Sequence, residues 1–478
     1  MRAFRDYRAL GLFDDPGLGK TLQTLALIDV MGWDRVCVAA PAGARRVWLA
    51  QILLWFPEWR NRVLIIEPGK QPLLADVAGD HAIVLVAYDT LSGRNSVWPR
   101  QLAGLAWDLL VLDEAHHLKN HSQRTRAVYG SRGDNEGIQA SAEHVLLLTG
   151  TPTPNNVGEL WQHMRALWPH TLHSLAHPDR PMSEDEFVER VCVFQDGKFG
   201  RQVVGSTEAG KRMVRERLAR YVRRVSKQEA LPELPPVTEQ DVPLALSPHK
   251  VRLNLPPEVR AMERQLYAAD ENQLWRALHR APSEVTDERQ PLSTLRRALG
   301  EQKIQGTIEW VTERLDCGTD KLLVFGWHVR ALETLHTLLA QYEPVLITGR
   351  TSPGERVVLV DRFQTRPACR VFVGQIQAAG TAITLTAASE VVIFEPSWVP
   401  GDNRQAIDRA HRMGQQDHVL AHYLVLPGTL DEKIIQVMRR KEAHTQGLFT
   451  KGNEGDDVRR ISEDHRAYQH GVGQQRFS

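Results

Sequence analysis

The chain has 478 residues, room for roughly three ordinary domains that each bury a core of their own. Its 59 Lys and Arg against 58 Asp and Glu leave a net charge of +1, which excludes a global basic field and confines any nucleic-acid surface to local patches. Cys37, Cys192, Cys317 and Cys369 stand far apart without a Cys-x-x-Cys pair, so neither a zinc site nor a disulfide framework is expected. Met1 to Asp6 lacks the apolar core of a signal peptide, and no apolar run reaches the ~18 residues of a membrane span. A cytoplasmic protein with no membrane partner is the expectation.

In chain order, the first chemical signal is Asp14-Asp15-Pro16-Gly17-Leu18-Gly19-Lys20-Thr21, followed by a helical run from Leu22 to Val30. It carries the Gly-Lys-Thr end of a phosphate-binding loop, with Asp14 where the general pattern has its first glycine. Gly17 and Gly19, flanking Leu18, let backbone N–H groups turn toward phosphate oxygens ahead of a helix N-terminus. Lys20 is the candidate contact for the β/γ-phosphates, and the Thr21 hydroxyl is a candidate ligand for Mg²⁺.

Short Val-, Leu- and Ile-rich runs at 36–40, 63–66, 83–87, 109–112 and 145–148 alternate with amphipathic stretches, the pattern of a parallel sheet covered by helices. The fourth run leads into Asp113-Glu114-Ala115-His116, at the strand end where open α/β sheets bind ligands. Asp113 is the second Mg²⁺ candidate, and Glu114 is the candidate to orient and deprotonate an attacking water. Thr149 and Thr151, after the fifth run, are candidates for coupling this site to another face through their hydroxyls, although strand-end threonines also cap helices.

From 169 to 303 the chain is charged and mostly helical in pattern, broken by Leu231-Pro232-Glu233-Leu234-Pro235-Pro236, which cannot continue a helix and reads as a linker. A strand at 237–246 and helices at 257–278 and 292–315 are predicted next. Runs at 322–325, 345–347, 371–373, 391–394 and 421–426 then repeat the first texture. The fold class is therefore α/β: two doubly wound parallel-sheet lobes at 1–168 and 304–450, helical insertions and a linker at 169–303, and a polar tail at 451–478 expected to be disordered.

The second lobe ends in Gln405-Ala406-Ile407-Asp408-Arg409-Ala410-His411-Arg412-Met413-Gly414-Gln415. This block is predicted as a helix ending at Gly414, which puts Arg409 and Arg412 on one face. Arginines supplied by a second lobe stabilise charge on a transferring phosphoryl group. Arg409 and Arg412 thus join Lys20 and Glu114 as candidate catalytic residues, with Gln405 as a nucleotide contact and His116 and His411 as candidate relays of lobe closure.

Together, Asp14 to Thr21, Asp113 to His116, Leu148-Thr149-Gly150-Thr151-Pro152 and Gln405 to Gln415 resemble the Swi/Snf-type ATP-dependent DNA translocases of the second helicase superfamily. Pro41-Ala42 with Trp48, and Tyr88-Asp89-Thr90-Leu91, resemble that family's DNA-contact motifs. Tyr221-Val222-Arg223-Arg224 resembles its linker entry, Lys321 to Phe325 the first strand of its second lobe, and Trp398 and Pro400 the approach to its closing block. Lys303 to Trp310 and Ala378-Ala379 are most similar to the annealing-helicase-like branch, which includes phage and bacterial members.

The resemblance implies two RecA-like lobes of the P-loop NTPase type, a DEAH-box-like motif, ATP and Mg²⁺ in the cleft, and sequence-nonspecific binding to duplex DNA in a bacterial or phage-infected cell, associated with the nucleoid. An RNA or single-strand helicase, and a nucleotide-gated DNA-binding module with little turnover, are the alternatives. Three departures bear on this: only 13 residues precede Asp14, too few for the family's adenine-reading segment, Pro16 replaces a usual Met, and Ala382 replaces a usual Gly. Arg45-Arg46, Arg223-Arg224 and Arg439-Arg440-Lys441 are candidate backbone contacts that also read as solvated helix faces. Trp48, Trp55, Trp59, Trp161, Trp168 and Trp310 fall in helical patterns and are expected in the core.

Overall fold

The structure, a computed structural model, describes residues 4, 6–67, 82–93, 96–131, 137–153, 155–174, 177–197, 200–244, 255–280, 291–379 and 383–446. The polar tail and Ala382 lie outside the described residues. In the N-terminal half, β1 (Ala9–Leu12), β2 (Val36–Ala40), β3 (Val63–Ile65), β4 (Ile83–Ala87), β5 (Trp107–Asp113) and β6 (Ala142–Leu148) are the strands. Two antiparallel pairs follow, β7 (His173–Ser174) with β8 (His177–Pro181) and β9 (Cys192–Gly197) with β10 (Gly200–Ser206). β11 (Val222–Arg223) then returns to the first sheet, whose order is β11-β1-β6-β5-β2-β4-β3. Every pairing in it is parallel.

The second sheet contains β12 (Val237–Pro243), β13 (Leu322–Gly326), β14 (Val345–Ile347), β15 (Val371–Gln375), β16 (Glu390–Ile393) and β17 (Val419–Val425). Its order is β12-β17-β16-β13-β15-β14, again all parallel. The chain is thus two RecA-like doubly wound lobes. Every residue of β2, β4 and β13 is buried, as parallel strands covered on both faces require. One apolar cluster lies on each face of each sheet.

β1 was not among the predicted strands. It is four residues long and contains Gly11, a residue that weakens a strand signal, yet it pairs with both β6 and β11 and delivers the phosphate loop. The predicted helix at 257–278 is two helices, Pro257–Ala268 and Glu271–Arg280, because Asp270 accepts the Gln273 N–H at 2.8 Å and starts the second. The segment 169–303 also contributes an edge strand to each sheet, β11 and β12, so the linker is stitched to both lobes. Trp48, Trp59, Trp161 and Trp168 are buried, whereas Trp55, at the end of its helix, is 53% exposed.

Candidate nucleotide site

The phosphate loop leaves β1 and enters the helix Lys20–Met31 through two left-handed glycines, Gly17 at φ +89° and Gly19 at φ +74°. L-residues with a side chain resist this region, which is why glycine recurs here. Gly19 is the N-cap and makes no side-chain cap, so the first-turn N–H groups of Lys20 and Thr21 open onto the loop, and no atom lies within 4 Å of where a Cβ on Gly19 would stand. Lys20 Nζ donates to the carbonyls of Asp14 and Asp15 at 2.6 and 3.2 Å. Burial pushes its pKa down, against the pull of Glu114 and Asp113.

Two loop residues are committed to the protein itself. Asp14 is 1% exposed, and its carboxylate accepts the N–H of Val225 at 2.9 Å and Gln23 Nε2 at 3.4 Å, so it faces the linker. Pro16 packs on Gly150, where a Cβ would stand 2.7 Å from the proline Cγ. Gln23 Nε2 also donates to the Leu18 carbonyl at 2.8 Å.

Asp113 closes β5. Trp48 Nε1 donates to its Oδ2 at 2.9 Å, the Glu114 N–H donates to its Oδ1 at 3.0 Å, and the Tyr88 hydroxyl donates to its carbonyl at 2.8 Å. Trp48 is fully buried, so the residue read as part of a DNA-contact motif instead orients this carboxylate. Glu114 adopts φ +49°, strained for a non-glycine and of the kind that clusters at functional sites. Burial and the neighbouring Glu114 charge push the Asp113 carboxyl up. Burial also acts upward on Glu114, but His116 and Lys20 outweigh it and hold that carboxyl below the usual range.

His116 gathers the coupling candidates. Its Nδ1 lies 3.1 Å from the Thr149 hydroxyl, 3.4 Å from the Thr151 hydroxyl and 3.4 Å from Glu114 Oε2. Thr149 Oγ1 also accepts the Thr151 N–H at 3.1 Å. Thr151 touches the second lobe, its Cγ2 lying 3.4 Å from where a Cβ on Gly401 would stand. His411 is not part of this group. Its Nε2 lies 2.8 Å from the Pro235 carbonyl, so it faces the linker.

The arginine block departs from its prediction. The α-helix runs Pro400–Ile407 and stops, and residues 408–414 are turns and bends. Gln415, 6% exposed, donates to the carbonyls of Ala388 and Ala410 at 2.9 and 3.2 Å, and Gly414 turns at φ +97°. Arg409 is 4% exposed, and Arg412 reaches the phosphate loop, its Cγ 3.5 Å and Nε 3.8 Å from where a Cβ on Gly17 would stand. Burial pushes Arg409 down to about 9, Arg412 repels it further, and Asp408 and Glu114 pull the other way. Gln405 sits half-buried on the helix Pro400–Ile407.

A cavity of about 410 Å³ adjoins this site on the linker side, lined by Pro16, Thr151, Lys227, Leu234 and Asp408 among others. Lys20, Thr21, Asp113 and Glu114 are not in its lining. The basic pairs act mainly within the molecule: Arg224 pairs with Asp15 at 3.2 Å, Arg439 with Asp241 at 2.5 Å, Arg440 with Glu271, and Arg45 donates to the Ile66 carbonyl. Arg223 keeps a side chain 63% exposed, and Arg46 is exposed. Among the described residues no helix is long and apolar enough to cross a membrane, and no acid, histidine or cysteine cluster forms a metal cage. Cys37, Cys192 and Cys369 are buried free thiols and Cys317 is exposed.

An SNF2-related domain matches residues 5–278, and a helicase conserved C-terminal domain matches residues 307–414. The chain belongs to the SNF2-related family. This SNF2-related chain is 28% identical over 445 residues to the DNA annealing helicase and endonuclease ZRANB3 of Mus musculus, covering 91% of this chain and 38% of that protein. A Caenorhabditis elegans homolog of the SWI/SNF-related matrix-associated actin-dependent regulator of chromatin subfamily A-like protein 1 is 28% identical over 443 residues, covering 91% and 59%. The chain thus spans about two-fifths to three-fifths of these curated relatives. The solved SWI2/SNF2 ATPase core of Sulfolobus solfataricus in complex with dsDNA is 24% identical at a TM-score of 0.40, covering 94% of this chain and 91% of that one. The expected bacterial or phage-infected setting is corrected by the curated relatives, which are mouse and nematode proteins, one of them named for chromatin regulation. Association with a nucleoid is not supported.

Proposed function

We propose that this chain is a DNA-dependent ATPase that uses ATP hydrolysis to translocate on, or remodel, duplex DNA without reading sequence. The observation that carries this reading is the packing of Arg412, from the second lobe, over Gly17 of the first lobe's phosphate loop, with Arg409 close enough to Glu114 to feel its charge. Arg409, buried, is repelled by Arg412 beside it, and a polyphosphate is a ligand that relieves this. Both relatives carry their resemblance across this whole span, and the mouse protein is named for DNA annealing.

Lys20 binds the β/γ-phosphates with the N–H groups of Gly17 to Thr21, while Arg409 and Arg412 face the charge that develops on transfer. Glu114, in its DEAH-type motif, orients and deprotonates the attacking water. Its Oε2 is buried, with His116 Nδ1 3.4 Å away. Thr21 and Asp113 are oxygen donors of the hard type that suits Mg²⁺, and Trp48 supports the second of them. Mg²⁺ bound there would neutralise phosphate charge. His116, Thr149 and Thr151 connect Glu114 to the contact with Gly401, a route by which lobe closure and hydrolysis are linked.

ATP hydrolysis measured with duplex DNA, single-stranded DNA and RNA tests the reading. Duplex DNA is expected to stimulate most, and Lys20→Ala and Glu114→Gln to abolish that stimulation. Stimulation by RNA alone, or equal slow turnover in all three proteins, would overturn it.

A further inference from the structure

One buried side chain of the linker touches both halves of the site. Lys227 opens the short helix Lys227–Ala230 and is 5% exposed. Its backbone N–H donates to Asp15 Oδ2 at 3.0 Å, tying it to the phosphate loop. Its Nζ donates to Asp408 Oδ1 at 2.6 Å and to the His411 carbonyl at 2.7 Å, tying it to the arginine turn. Its Cε lies 3.6 Å from where a Cβ on Gly17 would stand, next to Arg412 Cγ at 3.5 Å from the same point.

The neighbouring linker residues are fastened in the same manner. The Asp15 N–H donates to the Val225 carbonyl at 3.0 Å, Arg224 pairs with Asp15, and His411 reaches the Pro235 carbonyl. Asp408 immediately precedes Arg409, and its carbonyl accepts Arg412 Nε at 3.0 Å. Fixing Asp408 therefore fixes the origin of both arginines. Burying an ammonium against a carboxylate is costly, and a well-packed apolar pair fills such space at least as stably. A charge kept here calls for a role other than stability.

We propose that Lys227 is a positioning residue that locks the turn 408–412 against the phosphate loop, so that the linker's path sets whether Arg409 and Arg412 face the nucleotide. This rests on reading the site as an ATPase. Lys227 touches neither of the assigned acids, and it acts through the arginines.

The test compares kcat and KM for ATP, with saturating duplex DNA, in the full chain and in Lys227→Ala, Lys227→Arg, Arg412→Ala and the Lys227→Ala, Arg412→Ala pair. A misplacement of about 1 Å costs on the order of 100-fold in rate, so Lys227→Ala should lose about that in kcat while KM moves far less. Lys227→Arg, which keeps the charge, should recover part of the loss, and the double variant should be no slower than Arg412→Ala alone. Multiplicative losses in the double variant would overturn the proposal, as would an unchanged kcat. Should Lys227→Ala fail to fold, Lys227→Met keeps the stem's packing and carries the same comparison. Amide hydrogen exchange across 408–415, measured without nucleotide, should rise in Lys227→Ala or Lys227→Met, and unchanged exchange refutes the lock whatever the turnover. Absence of turnover in the unaltered chain sinks the ATPase reading, whereas turnover with unchanged exchange sinks the lock alone.

Discussion

Substituting Gly150 with alanine puts a methyl group into the ring of Pro16. The new Cβ would stand 2.7 Å from Cγ, 2.8 Å from Cδ and 3.2 Å from N of that proline, against 3.4 Å for ordinary contact. The shortest approach is thus about 0.7 Å too close, and a proline ring has little freedom to turn away. The loop 14–19 must move by a similar amount, taking with it the carbonyls that hold Lys20. Overpacking of this kind costs ~1–3 kcal/mol in stability. A shift approaching 1 Å at the phosphate loop is expected to cost on the order of 100-fold in kcat. Steady-state ATP hydrolysis with duplex DNA reads the second effect, and thermal unfolding reads the first. The companion change Pro16→Ala removes Cγ and Cδ, the two shortest of these contacts, so the double variant should regain most of the lost rate. If the double variant is as slow as Gly150→Ala, contact with Pro16 is not the cause and the argument fails.

Trp48→Phe removes the indole donor from Asp113 Oδ2 while keeping an aromatic in the core, so the Mg²⁺ concentration for half-maximal hydrolysis should rise ~10-fold or more. An unchanged Mg²⁺ dependence would detach Trp48 from the metal site. His163 is 2% exposed, its Nδ1 lies 2.7 Å from the Tyr129 hydroxyl, and burial holds its pKa down at about 3. The unfolded chain binds that proton first, so the stability contribution is complete above about pH 6.5 and is lost as pH falls from there toward 3. Between pH 6.5 and 4.5 the loss is about 2–3 kcal/mol. Urea midpoints of the unaltered chain and His163→Gln at pH 7.5 and 4.5 measure it, and the glutamine variant should show the smaller acid loss. Lys303, 1% exposed, pairs with Asp431 at 2.9 Å, joining the helix Pro291–Asp316 to the helix Leu430–Gln446. Lys303→Ala strands that carboxylate and should cost ~3–5 kcal/mol by denaturant titration, and a loss below 1 would refute a buried charge pair there.

The two-lobe architecture was legible because parallel strands buried on both faces leave uninterrupted runs such as Val36–Ala40 and Ile83–Ala87. The places of Lys20 at a helix start and of Asp113 and Glu114 at a strand end were legible because such junctions are local, and each has its own spelling. β1 escaped because four residues with a glycine among them carry too little periodicity, and its place between β6 and β11 is a non-local fact. The arginine block was read as a helix because nothing local forbids one. Its helix ends at Ile407, and beyond it the carbonyls of Ala410 and His411 accept from Gln415, within the block, and from Lys227 of the distant linker.

What the sequence determined by itself is the chemistry: which residues bear charge, which glycines let a backbone cradle phosphate, and which runs must be buried. Only the tertiary structure decided who faces whom. Asp14 looks to the linker, Trp48 holds Asp113, and Lys227 joins a loop and a turn about 390 residues apart in sequence. The physical reason is that burial and hydrogen-bond satisfaction are settled between segments, so residues with no distinctive local spelling acquire their roles from the partners the fold places beside them.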